Sequence, residues 1–135
     1  MACAPFHRKI YPTILAVSRH DWLCSNIRKV KISEFTDQLR RRDVDVLTAI
    51  EDNSAELADD ALLERAGSLG RVLFTQDIRF KALAEDWQRQ ERRFAGLIFG
   101  HQLGGTIGQF VKDLELIALA SDSGEWLNVV EYLPF

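Results

Sequence analysis

The run Arg71–Thr75 (RVLFT) constrains this chain more than any other segment. It is short, almost wholly apolar and β-prone, with neither the alternation of a half-buried strand nor the length of a helix. A strand of this kind is covered on both faces, as happens when helices pack on either side of a parallel sheet. The flanking segments supply such helices. Upstream, Leu62, Leu63, Ala66 and Leu69 fall on one helical face behind Asp59 and Asp60, whose charges suit the positive end of a helix, and Gly67 and Gly70 bracket its end. Downstream, Phe80, Leu83 and Trp87 mark a second helix, whose distal part at 88–93 carries polar and charged residues toward solvent.

The same grammar repeats on both sides. Val44, Val46 and Leu47 form a strand-like segment closed by the polar stretch at 51–54, and residues 95–99 (AGLIF) form another strand ended by Gly100. Ile107, Phe110, Val111, Leu114 and Ala118 have the spacing of a third helix, and residues 126–133 (WLNVVEYL) supply a closing strand. Ile32, Phe35 and Leu39 predict an earlier helix ending in Arg40, Arg41 and Arg42, cations placed at the negative end of its dipole. Either Thr13–Val17 or residues 30–32 is the first strand; the sequence does not choose between them. This alternation of strands and helices is the signature of the α/β class.

At 135 residues, without internal repeat, low-complexity tract or Gly/Ser/Pro linker, the chain reads as a single domain. The apolar run at 14–17 follows Pro12 and precedes Arg19 and His20, so neither a membrane span nor a signal peptide is expected. Two cysteines, Cys3 and Cys24, are too few for a disulfide scaffold and favour a reduced, cytoplasmic setting. The net charge of −3 hides an asymmetry: residues 1–42 carry nine Lys/Arg against three Asp/Glu, and residues 43–135 carry eight against seventeen. A basic arm on an acidic body suits phosphates on one side and gathers carboxylates on the other, although solvated helix faces give the same count.

In an open parallel sheet, sites form outside the carboxyl ends of the strands. Asp77, directly after RVLFT, stands there, and Asp59 opens the preceding helix on the same edge. Carboxylates so gathered suit Mg²⁺ or Mn²⁺, which prefer oxygen ligands and can activate water toward a phosphodiester. The structural alternative is that each carboxylate caps its helix. His101 follows the third strand at another carboxyl end, within reach of a substrate phosphate. Arg40, Arg41 and Arg42, with Arg28, Lys29 and Lys31, are candidates to hold a nucleic-acid backbone. Gly104, Gly105 and Gly108 do not have P-loop or dinucleotide spacing, and there is no GxSxG elbow.

Taken in order, residues 36–48 (TDQLRRRDVDVLT), residues 58–77 (ADDALLERAGSLGRVLFTQD), AGLIFGHQ, TIGQ and the closing VEYLPF resemble the short bacterial PIN-like proteins related to the ribonuclease toxins of toxin–antitoxin pairs. The resemblance covers residues 36–135 as a PIN-like domain, with 1–35 a diverged N-terminal segment of the same domain. It implies a three-layer α/β/α sandwich with a central, mostly parallel sheet, and divalent-metal-dependent ribonuclease chemistry. Homodimers are common in that family, and an antitoxin-like protein is an implied partner. Carried over by residue, Asp59 matches the acid opening the second helix and Asp77 the first acid of the TxDxDF pattern, with Asp21 a candidate third catalytic acid. Two departures stand out. The second acid of the pattern falls on Arg79. The acidic motif that closes the family's first strand is also missing, because counting back from Leu39 lands near Arg28, with Asp21 about seven residues upstream. A cation beside the carboxylates opposes metal binding. The implied function is therefore either a PIN-like nuclease, with Arg79, His101 and the 40–42 arginines on the nucleic acid, or a catalytically impaired relative that binds RNA or protein.

Overall fold

The computed structural model describes residues 13–17, 22–24, 29–101 and 104–133. The elements run β1 Thr13–Val17, β2 Trp22–Cys24, β3 Lys29–Lys31, α1 Ile32–Arg41, β4 Val46–Thr48, α2 Asp59–Leu69, β5 Arg71–Thr75, α3 Ile78–Arg89, β6 Leu97–Gly100, α4 Ile107–Ala120, a 3-10 turn Ser123–Trp126, and β7 Val130–Leu133. Five strands form one sheet in the order β4-β1-β5-β6-β7, and every pairing within it is parallel. The short β2–β3 pair is antiparallel and separate, inserted between β1 and α1. Both candidates for the first strand are thus extended, but it is Thr13–Val17 that enters the sheet, next to β5.

Strand periodicity divides the core. Ile14, Ala16, Val72, Phe74 and Ile98 face one side, where Phe35 and Leu39 of α1 and Phe110 and Leu114 of α4 cover them. Leu15, Val17, Leu73, Leu97 and Phe99 face the other, against Leu62, Leu63 and Ala66 of α2 and Phe80, Ala84 and Trp87 of α3. Phe74 stacks on Phe35 at 5.3 Å between ring centroids and meets Phe110 at 6.3 Å, fixing α1 and α4 over the middle of the sheet. The result is a three-layer α/β/α sandwich.

The winding has one irregularity. The crossovers β1–α1–β4, β4–α2–β5 and β5–α3–β6 share one hand. In β6–α4–β7 the chain continues in the same direction across the sheet, yet its helix lies on the α1 face. That connection has the opposite hand to the other three, a rare arrangement between adjacent parallel strands. It pairs α4 with α1 and leaves β7 to be met on the other face by α3.

Several boundaries move from the sequence reading. The segment 126–133 is not one strand. The Glu125 backbone N–H donates to the Asp122 carbonyl and Glu125 Oε1 accepts from the Asp122 N–H, closing a 3-10 turn that ends in the buried Trp126, and Asn128 takes a left-handed φ of 59° before β7 begins at Val130. Residues 95–96 precede β6 because Gly96 has φ +116°. Gly67 lies inside α2, and it is Gly70, at φ 67°, that ends the helix. α3 stops at Arg89, and Arg92 folds back with its guanidinium 3.8 Å from the Trp87 ring centroid.

β4 is an edge strand, and side chains stand in for its missing neighbour. The Arg40 guanidinium donates to the Val46 carbonyl at 2.8 Å and to Glu51 Oε1 at 2.8 Å, while that oxygen accepts from the Thr48 backbone N–H at 2.9 Å. An edge so occupied cannot template a foreign strand. The Arg40 hydrogen bond, followed by the Thr48 N–H, holds the Glu51 carboxyl below its ordinary value. A carboxylate depressed in the folded state stabilises above its unfolded pKa and loses that contribution as pH falls through the folded one. Glu51→Gln should therefore be less stable than the wild type at neutral pH, with the gap closing as pH drops below about 4.3. Urea melts of both proteins across that range check it.

Candidate functional site

The strand order places a switch of winding direction between β1 and β5, since the chain leaves β1 toward β4 and later moves from β5 toward β6. The crevice outside the carboxyl ends of those two strands is where such sheets hold ligands. Asp77 stands at its β5 side. Buried Thr75 sets it there, its Oγ1 accepting from the Asp77 backbone N–H at 3.0 Å.

Asp77 is the N-cap of α3, so both readings of its position meet in one residue. Its Oδ1 accepts from the Arg79 backbone N–H at 2.9 Å. The same carboxylate takes the Arg79 guanidinium side-on: Nε reaches Oδ1 at 3.1 Å and Oδ2 at 3.2 Å, and Nη2 reaches Oδ2 at 2.9 Å. A bidentate charge-assisted pair of this geometry is among the strongest a carboxylate makes at a surface. The side chain of Asp77 is 27% exposed and that of Arg79 76%. The Asp77 hydrogen bond, then its charge, and more weakly the charge of Asp59, push the Arg79 pKa up. Asp59, half-buried, is the first residue of α2 and not its cap, which is Ala58. Asp59, Asp77 and Arg79 therefore share the carboxyl edge, as the spacing predicts, with the cation already chelated by one of the acids.

These residues do not fit a divalent metal as they stand. Both oxygens of Asp77 face a guanidinium, and among the described residues no group of three or more His, Cys, Asp or Glu side chains could hold an ion. Asp21 and Arg28 lie outside the described residues.

The arginine triplet is elsewhere. α1 leads into β4, so its C-terminus lies at the amino edge of the parallel sheet, roughly 16 Å from the carboxyl edge for a five-residue strand. Arg40 is committed to the β4 edge and Glu51. Arg42 donates to the Gln38 carbonyl at 3.1 Å and pairs with Glu115 at 3.6 Å, and Arg41 is exposed. The arginine triplet and Asp77 therefore stand on opposite edges, because a helix connecting parallel strands delivers its two ends to opposite edges. His101, exposed directly after β6, does lie on the carboxyl edge, its ring edge-on to Phe99 at 6.0 Å.

Three side chains of this neighbourhood escape the sequence reading. Tyr132 of β7 donates its hydroxyl to Glu85 Oε2 at 2.9 Å, and Lys81 Nζ lies 3.4 Å from Glu85 Oε1 and 4.8 Å above the Tyr132 ring centroid. The signal available was the period of β7: Tyr132 shares a face with Val130, which packs against the α2–α3 core. No helix among the described residues is long and apolar enough to cross a membrane. No protein-family model, curated protein or solved structure matches the chain.

Proposed function

We propose that this chain is a PIN-like protein that binds RNA phosphate at the β1/β5 switch point, with its hydrolytic metal centre impaired. The observation that carries this reading is the Asp77–Arg79 chelate. It occupies the carboxylate that a metal would need, and the side-on geometry turns the remaining guanidinium nitrogen, Nη1, away from the carboxylate. Arginine in this position suits phosphate, since its planar fork pairs with phosphate oxygens and stays charged at any physiological pH. The proposed setting is the cytoplasm, with a second copy and an antitoxin-like protein as further partners, as the motif resemblance implies.

A second reading, an active ribonuclease using Mg²⁺ or Mn²⁺, is favoured by the convergence of Asp59 and Asp77 on one edge. Mn²⁺ calorimetry with an RNA cleavage assay on the wild type and Asp77→Asn separates the two. The binding reading expects salt-dependent RNA binding without Mn²⁺-dependent cleavage. Robust cleavage that Asp77→Asn abolishes would overturn it in favour of the nuclease.

A further inference from the structure

The reversed β6–α4–β7 crossover governs what the far edge of the sheet presents. With α4 on the α1 face, β7 is met on the other face by α3, and Tyr132 keeps 47% of its surface in solvent despite lying on the core-facing side of its strand. Register sets Tyr132 beside Phe99 of β6, and the two rings meet edge-on at 6.3 Å and 83°. His101, directly after the end of β6, meets that same ring edge-on at 6.0 Å and 88°. Two exposed rings thus stand against one buried phenylalanine. The Tyr132 ring is also held from its far end by Glu85, with the Lys81 ammonium over one face.

This assembly is close to the Asp77–Arg79 pair. Asp77 caps the helix that carries Lys81, and four residues of helix rise amount to about 6 Å. β5 and β7 are separated by one strand, so their carboxyl ends lie about 10 Å apart. A fixed, half-exposed aromatic ring with a cation beside it, next to a phosphate-seeking guanidinium, is the combination by which proteins hold single-stranded nucleic acid: the chain runs along the charge and its bases stack on the rings. Anchoring the phenol to Glu85 lowers the entropy lost when a base settles on the ring.

We propose that Tyr132, held by Glu85 and backed by Lys81, with His101 at its side, is a base-stacking platform for an unpaired nucleotide of RNA whose phosphate lies at Arg79. This inference rests on the RNA reading above. The test is fluorescence anisotropy at two salt concentrations with two probes, an oligouridylate of about ten nucleotides and an abasic ribose-phosphate oligomer of the same length. Tyr132→Ala should weaken oligouridylate binding about tenfold, leave its salt slope unchanged and leave the abasic oligomer unaffected. Tyr132→Phe, which keeps the ring, should lose less than about threefold, which also shows that the strand survives substitution. Wild-type affinity in Tyr132→Ala, or an equal loss on both probes, would overturn the platform. If Arg79→Gln weakens both probes while Tyr132→Ala weakens neither, the platform falls and the RNA reading stands; if the wild type binds neither probe, both fall.

Discussion

Gly96→Ala should melt roughly 10–20 °C below the wild type, a large loss for one added methyl group. A Cβ built on Gly96 lies 2.5 Å from the Trp126 carbonyl oxygen and 3.0 Å from the Trp126 Cβ, and the residue holds φ at +116°, where L side chains rarely sit. The two costs have separate origins and add. Backbone strain at such a φ is worth about 1–3 kcal/mol. The clash is with backbone, so no rotamer change relieves it, and relief requires moving the 3-10 turn that seats Trp126 in the core. Together they cost about 3–5 kcal/mol, a large part of what a domain of this size has. Gly124→Ala is the matched control: nothing lies within 4 Å of its added Cβ, so its melt should stay close to the wild type. Differential scanning calorimetry of the three proteins decides it. Equal melting of Gly96→Ala and the wild type would mean that the turn moves freely, and that Trp126 does not fix the approach to β7.

The residues that announced the fold are those whose burial is two-sided. RVLFT is β5, with the same bounds, because a strand covered on both faces leaves no room for polar substitution and reads as a continuous apolar run. α4 was legible for the converse reason: one face of it is buried, and its apolar residues recur at helical spacing. What the sequence hid is decided by chain geometry that periodicity does not encode. The opposite hand of the last crossover depends on which face α4 meets, and an amphipathic helix has the same pattern on either face. The left-handed backbone at Asn128 splits an apolar segment that otherwise reads as one strand. At the site, Asp77 was legible because strand-end position and motif agree. Whether Arg79 would approach Asp77 depends on a rotamer, and Tyr132 looked like one more strand residue until its neighbours on α3 were in place. Which edge of the sheet the arginine triplet reaches was not legible, because clustering in sequence does not say where a helix end lies; the order α1–β4 does.

Arg79→Asp should convert the switch-point edge from one whose acid is chelated by a guanidinium into one that gathers divalent cations. In the wild type the guanidinium pairs with Asp77 and offsets its charge, and the charge of Asp59 is also felt at Arg79. The substitution removes one positive charge and adds one negative charge at the same place. Even at the dielectric of water, a two-unit change about 5 Å from a divalent ion shifts its affinity by roughly a hundredfold, and screening at physiological salt reduces this toward tenfold. The α3 cap survives, because the Asp77 carboxylate still accepts from the backbone N–H of residue 79. Arg79→Ala, which frees Asp77 without adding an acid, should gain about the square root of that factor, roughly threefold to tenfold. Mn²⁺ calorimetry on the wild type, Arg79→Ala and Arg79→Asp should give affinities rising in that order, and RNA binding at low metal should fall in the same order as the phosphate-facing cation is lost. Metal affinity unchanged across the series would show that Arg79 is not what withholds Asp77 from a cation, and the proposed cause of impairment would fail. A series that rises in affinity and also gains Mn²⁺-dependent cleavage, lost again on Asp77→Asn, would identify Arg79 as the residue by which this chain departs from a nuclease.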